Sequence, residues 1–342
     1  MKKFLILFFL VISLSSVWCQ TAQVLDSGRV FRQAPFASCH AATICQTSEG
    51  HLLTAFFAGS WEGCKDVCIW MARLNAGAKS WSAPQCVATG QINASTQHPC
   101  WNPVLYHHQD SGDEVLLFYK TGVRIPEWVG HLMRSADGGR TWSAPETLPK
   151  GLLGAIKNKP LRYGRRLIAP SSTEPAWQPH FEISTNGGRR WRKVSVPFDS
   201  TIIAIQPAIL KLPHDTLLAL MRTKNGFLAQ TFSTDKGRHW SKMTLTTIPN
   251  NNSGIDAMTL SNGLHVMVYT PLGLTQGSEF GPRTPLVLAV SKDGHNWQNV
   301  LTLEKQAGEY SYPSIIEGND GTLHIVYTYQ RKQIKYAHIL LK

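Results

Sequence analysis

The sequence predicts an all-β chain wound into a six-bladed β-propeller with four-stranded antiparallel blades. Three observations predict it. Helical periodicity is nearly absent, while short β-rich runs dominate. A turn motif recurs: SADGGRTW at Ser135–Trp142, STNGGRRW at Ser184–Trp191, STDKGRHW at Ser233–Trp240 and the shorter SKDGHNW at Ser291–Trp297, with a worn copy, RLNAGAKSW, ending at Trp81. Those tryptophans stand 49–61 residues apart, a period suited to four strands and their turns. Between them fall six anchors, His40, Asn102, Lys159, Gln206, Asp256 and Tyr312, each leading through Pro or Ala into an apolar stretch.

Each element follows from this frame. Residues 1–19 begin with two lysines and an apolar run from Phe4 to Leu14. This reads as a secretory signal peptide, too short to span a bilayer. Residues 20–342 are then expected to form a single propeller domain, exported and without a membrane anchor. The segment Ala22–Arg32 is expected to complete the last blade, because the sixth unit ends on a third strand, IKYAHILL, with no turn motif after it. Each anchor opens an inner strand. Each inner strand is followed by a second one: HLLTAFFAG, EVLLFYKTG, RRLIAPSS, TLLALMRT, GLHVMVYT and TLHIVYTY. In the repeated turns, Asp or Asn accepts bonds from backbone N–H groups and Gly supplies a positive φ. The motif is therefore a structural staple, despite its acid.

Composition narrows the partners. The formal net charge is +12, or +10 without Lys2 and Lys3, yet only 16% of residues are charged and no Lys/Arg run resembles a nucleic-acid arm. An anionic glycan fits an exported basic chain. Six cysteines follow Cys19, all within the first third of the mature chain; an even count suits disulfides in an exported protein. A zinc site at Cys64 and Cys68 lacks a second ligand pair with suitable spacing, so neither metal nor cofactor is implied. Asn93 and Asn251 stand in glycosylation sequons.

The anchors are expected to ring one mouth of the central channel as ligand contacts: His40, Asn102, Lys159, Gln206, Asp256 and Tyr312. Loops between strands add Glu62, Asp66, Glu174, Arg222, Arg283, Glu309 and Tyr310. Arginine suits planar, bidentate recognition of a carboxylate.

The repeated S-x-D-x-G-x-x-W turns, the six-fold register and the terminal EYSYP stretch together resemble the sialidase (neuraminidase) superfamily. The resemblance runs from Ser38 to the C-terminus. It implies a glycosidase in which three arginines hold the substrate carboxylate, an Asp protonates the leaving oxygen and a Tyr helped by a Glu attacks. A phenol suits that attack, because the anomeric carbon already carries a carboxylate that repels an anionic nucleophile. On this resemblance Tyr310 corresponds to the nucleophile and Arg222 and Arg283 to the second and third arginines. Asp66 corresponds to the acid/base, with Glu62 as its rival. Two positions depart. No Arg or Lys stands beside Cys39–His40, and Gln206 stands where the helper Glu belongs, with Glu309 as its substitute.

The implied function is a secreted exo-glycosidase acting on sialic acid or a related acidic sugar. The alternatives are a polysaccharide lyase, with His40 or Tyr310 as base, and a carbohydrate-binding propeller without catalysis.

Overall fold

The computed structural model describes residues 20–108 and 112–342; the leader expected at 1–19 lies outside them. Six four-stranded antiparallel sheets form the blades of the propeller. Blade one comprises Ser38–Gln46, Leu52–Gly59, Cys68–Leu74 and Gln85–Ala88. Blade two comprises Cys100–His108, Glu114–Thr121, Val129–Ser135 and Glu146–Thr147. Blade three comprises Leu161–Tyr163, Arg166–Thr173, Gln178–Ser184 and Arg192–Ser195. Blade four comprises Ala204–Lys211, Leu217–Thr223, Phe227–Ser233 and Thr244–Pro249. Blade five comprises Asp256–Thr259, His265–Tyr269, Leu286–Ser291 and Gln298–Glu304.

Blade six is closed as the sequence predicts. Its strands Tyr310–Glu317, Leu323–Tyr329 and Gln333–Leu341 are completed by Ala22–Arg29 from the other end of the chain. The two terminal strands pair antiparallel from Ala22↔Leu341 to Arg29↔Lys335. Among the described residues no helix is long and apolar enough to cross a membrane.

The inner strands are buried on both faces, because adjoining blades cover them. That is why SCHAATICQ and AIQPAILK read as continuous rather than alternating. Apolar side chains fill the gaps between blades, as where Leu53, Phe57 and Ile69 of blade one meet Leu105, Leu117 and Tyr119 of blade two. The repeated turns join the third and fourth strands of blades two to five. In each, a Ser hydroxyl donates to the Asp or Asn and accepts from a Gly N–H, as Ser135 Oγ does to Asp137 (2.7 Å) and from Gly139 (2.7 Å). The same bonds recur at Ser184, Ser233 and Ser291.

Two features shape the channel. First, four inner strands carry a bulge at the anchor, with one extra residue against the neighbouring strand: between His40 and Thr43, Trp101 and Val104, Ile205 and Ala208, and Ser311 and Ser314. A left-handed residue sits in each: Ala41 (φ 55°), Asn102 (37°), Gln206 (60°) and Tyr312 (49°). A bulge breaks the two-residue alternation and re-aims the next side chains.

Second, the inner strand of blade three is only three residues long. The segment before it ties the blades together across the axis. Lys157 Nζ donates to Asn158 Oδ1 (2.9 Å), Ile255 O (2.5 Å) and Pro313 O (2.5 Å). Asn158 Nδ2 donates to Gln206 O (3.1 Å) and Pro207 O (3.0 Å). Lys120 of blade two donates to Asn102 O (3.2 Å) and to Ala155 O. Burial pushes both lysines down to about 7. Three oxygens around Lys157 nevertheless match the three donors of an ammonium.

The expected disulfides are not formed. Cys39, Cys45, Cys64, Cys68, Cys86 and Cys100 are free thiols. Asn251 is 1% exposed and its Nδ2 donates to Pro282 O (2.5 Å), so its sequon is occupied by the fold.

Candidate functional site

The anchors do not form one ring. Lys159 and Asp256 pair with each other at 2.7 Å, Lys159 also donates to Ser314 Oγ (2.8 Å), and Asp256 accepts from Ile315 N (2.9 Å). They line a cavity of about 260 Å³ at the end of the channel where the inner strands finish, among Gln46, His107 and Lys211. Asn102 is buried in its bulge. His40, Gln206 and Tyr312 lie together at the opposite mouth. The reason is the cross-axis segment of blade three, which separates the two ends.

At that mouth, Tyr312 is the central group. Its hydroxyl accepts from Arg222 Nη1 (2.8 Å), and its ring lies against His40, with centroids 4.3 Å apart. Arg222, at the end of blade four's second strand, is fixed by Asn252 Oδ1 through Nε (3.1 Å) and Nη2 (2.8 Å). Its Nη1 also reaches Gln206 Oε1 (3.4 Å), and its Cζ sits 5.2 Å from the Trp177 ring centroid. Gln206 hydrogen-bonds in turn to Glu174, whose Oε1 accepts from Ser172 Oγ (2.8 Å). Burial raises the Glu174 carboxyl above its ordinary range, opposed by the Ser172 and Gln206 bonds and by Arg222. Gly254 completes this wall. A Cβ there would come 3.1 Å from Lys157 Cε, 3.5 Å from Gln206 Oε1 and 3.6 Å from Tyr312 Cδ2.

A second cluster faces it. Glu309 accepts from Arg283 Nη1 (2.7 Å), from Arg331 Nε (2.9 and 3.0 Å) and from Ser311 Oγ (3.1 Å). Arg331 also bonds Glu62, and its carbonyl accepts from Cys39 N at 2.8 Å. Arg331, which the sequence reading misses, thus brings a guanidinium from blade six's second turn to the place where blade one lacks one. Its only sequence signal is a turn without glycine, in which Gln330 and Arg331 both take positive φ.

His40 reports the sum of these charges. It is 2% exposed and its Nδ1 has no partner among the described residues. Burial lowers it well below the usual histidine value, and Arg331, Arg283, Arg222 and Lys157 lower it further. The imidazole is therefore neutral at the centre of a cationic mouth.

The BNR repeat-like domain model matches residues 50–325. The chain belongs to this family. Among curated protein sequences none matches it. Several solved structures share the propeller of this BNR repeat-like protein. A protein of unknown function from Dyadobacter fermentans DSM 18053 has a TM-score of 0.74 at 13% identity, over 94% of this chain and 99% of that one. The Hadza microbial sialidase Hz136 gives 0.75 at 16%, over 91% and 68%. The intramolecular trans-sialidase from Ruminococcus gnavus, in complex with oseltamivir carboxylate, gives 0.70 at 14%, over 90% and 96%. The family and these structures agree on the six-bladed frame.

The BNR repeat-like frame keeps the anchor Tyr312 at a channel mouth but buries Tyr310, which the resemblance makes the nucleophile. Tyr310 is 1% exposed and packs with Tyr327, Leu286 and Ile315 between blades five and six, its ring 5.2 Å from that of Tyr329. Tyr312 points into the mouth instead. Strand alternation puts residues 310 and 312 on one face, but the bulge at Tyr312 turns the second away. Glu309 does not substitute for a helper Glu at the phenol, since its bonds go to Arg283, Arg331 and Ser311. Asp66 is exposed, with Oδ2 accepting from Ser60 N (2.7 Å) and Ser60 Oγ (2.6 Å). Glu62, on the same loop, belongs to the Arg331 cluster.

Proposed function

We propose that this BNR repeat-like protein is a glycoside hydrolase that releases a terminal carboxylate-bearing sugar, sialic acid or a close relative, from glycans. The observation that carries the reading is the convergence of Arg222, Arg283 and Arg331 around Tyr312 and neutral His40. Guanidinium groups held on one edge by Asn252, Glu309 and Glu62 present their remaining donors in fixed directions, as recognition of a planar carboxylate requires.

In this reading the Tyr312 oxygen attacks the anomeric carbon and the glycosidic C–O bond breaks. Asp66 gives its proton to the leaving oxygen. The phenol proton passes to His40. Asp66 then takes a proton from the water that cleaves the Tyr312–sugar bond and frees the sugar, while His40 returns the phenol proton. Burial and the three arginines hold His40 neutral; the same arginines bind the substrate carboxylate, whose charge offsets their field and makes His40 a better base once substrate is seated. Gln206 accepts a hydrogen bond from Arg222 and removes no proton, and Glu174 holds its amide in place. The carboxylate of the sugar disfavours an anionic nucleophile, so a neutral phenol suits the step.

His40 also favours a second reading. An unpartnered neutral imidazole beside a phenol, within a cationic mouth, is equipped to abstract the proton next to a uronate carboxylate, as a lyase does. Incubation with a panel of sialosides and uronosides separates the two. Free sialic acid supports hydrolysis, and an unsaturated product absorbing in the ultraviolet supports elimination. Binding without either product from any substrate would leave a carbohydrate-binding propeller and refute both.

A further inference from the structure

The reaction above uses none of the chain's thiols, yet two of them stand together on blade one. Cys68 opens the third strand and Cys86 lies on the fourth. Cys86 is opposite Trp70, two residues beyond Cys68, so both side chains leave the same face of the sheet. The Cys86 thiol can donate to Cys68 Sγ or to Ala88 O, 3.8 Å away. Cys68 Sγ also accepts from Gln97 Nε2 (3.4 Å). Cys86 is exposed and Cys68 half-buried, so a solute can reach the pair.

This setting separates the pair from the other four cysteines. The bond from Cys86, and then that from Gln97, hold the Cys68 thiol down at about 7 against the opposing effects of burial and of Asp66. The same bond raises Cys86. One sulfur is therefore poised as a thiolate, the nucleophilic form, while its neighbour keeps its proton. Cys39, Cys45 and Cys100 are buried, and burial raises each of them. Cys64 is exposed, but nothing donates to its sulfur among the described residues.

We propose that Cys68 and Cys86 form a reactive dithiol that exchanges with low-molecular-weight disulfides, with Cys68 as the attacking sulfur and Cys86 as the resolving one. The Cys68 thiolate attacks one sulfur of the small disulfide. A mixed disulfide forms on Cys68, the small molecule's own S–S bond breaks, and one thiol leaves. Cys86 then gives up its proton and displaces the second thiol from Cys68. In sum the protein loses two thiol protons and two electrons, and the small disulfide becomes two thiols. The structure holds the reduced state.

The test is peptide mass mapping of the reduced full chain after incubation with excess glutathione disulfide and quenching with a maleimide. The wild type is expected to yield Cys68 and Cys86 joined in one cross-linked peptide pair. Cys86→Ser should stop at a glutathione adduct on Cys68, and Cys68→Ser should leave Cys86 unreacted over the same interval. At about pH 7, Cys68 should react roughly threefold faster than an ordinary exposed thiol, because its larger thiolate fraction outweighs the lower nucleophilicity of that thiolate. Glutathione left on either sulfur of the wild type without the cross-link would overturn the resolving step. Reaction of Cys64 ahead of Cys68 would overturn the assignment of the nucleophile, and no reaction at Cys68 and Cys86 would overturn both. The wild-type map alone decides the pairing if either variant fails to fold.

Discussion

Replacing Arg331 with methionine keeps a side chain of similar length but removes one guanidinium from the mouth. The structure sets the size of the effect. Nε is engaged by Glu309 and one Nη by Glu62, which leaves the other Nη for a ligand. One hydrogen bond to a charged group contributes about 1.5–3 kcal/mol, roughly a 10- to 140-fold change in Kd. The loss should fall in the upper half of that range. Formally, Arg283 and Arg331 balance Glu62 and Glu309, so the variant leaves one uncompensated negative charge facing an anionic substrate. Arg331→Lys should fall between, keeping the charge but losing the planar fork. Calorimetric titration with an unsaturated sialic acid analogue measures both variants, with thermal melting as the check on folding. Kd values within twofold of the wild type for both would refute the assignment of Arg331 to carboxylate binding.

Lys157→Met leaves Asn158 Oδ1, Ile255 O and Pro313 O without their common donor. Unsatisfied buried acceptors cost about 1–3 kcal/mol each, partly offset because the buried charge is removed. A net loss of about 3 kcal/mol is expected by urea denaturation, and a neutral result would show that the cross-axis clasp does not hold the blades. Acidification should destabilise the protein through His324, which burial and the neighbouring His338 push down to about 4. An unfolded histidine titrates near 6.5, so between about pH 6.5 and 4 the unfolded chain binds a proton that the folded chain refuses. Stability therefore falls with pH across that window, by on the order of 3 kcal/mol. Urea melts of His324→Gln should show a flatter dependence from pH 7 to 4.5, and an unchanged slope would assign the acid limb to other groups.

Much of the propeller was legible because its signals are local and repeated. Ser135, Ser184, Ser233 and Ser291 each mark one turn, and each second strand carries its own apolar run. Closure by Ala22–Arg29 was legible because the sixth unit was one strand short. The site was less so, for three physical reasons. The bulges at Gln206 and Tyr312 change which face a residue occupies without changing its spacing, so spacing did not distinguish a mouth-facing Tyr312 from a buried Tyr310, and the resemblance gave the nucleophile's role to the latter. The cross-axis segment divides the anchors between two ends, and only the folded chain reveals that Lys159 and Asp256 pair away from Arg222. Arg331 lies in an unmarked turn and reaches Cys39 through closure of the ring, a contact between residues nearly 300 positions apart in the sequence.

The comparison of Tyr312→Phe with Tyr310→Phe tests the account most directly. Both remove one hydroxyl, and neither changes side-chain bulk. If Tyr312 is the reactive phenol, release of sialic acid from sialyllactose is abolished in Tyr312→Phe and retained in Tyr310→Phe. Full activity in Tyr312→Phe, with loss in Tyr310→Phe, would contradict the placement of the chemistry at the Arg222 mouth.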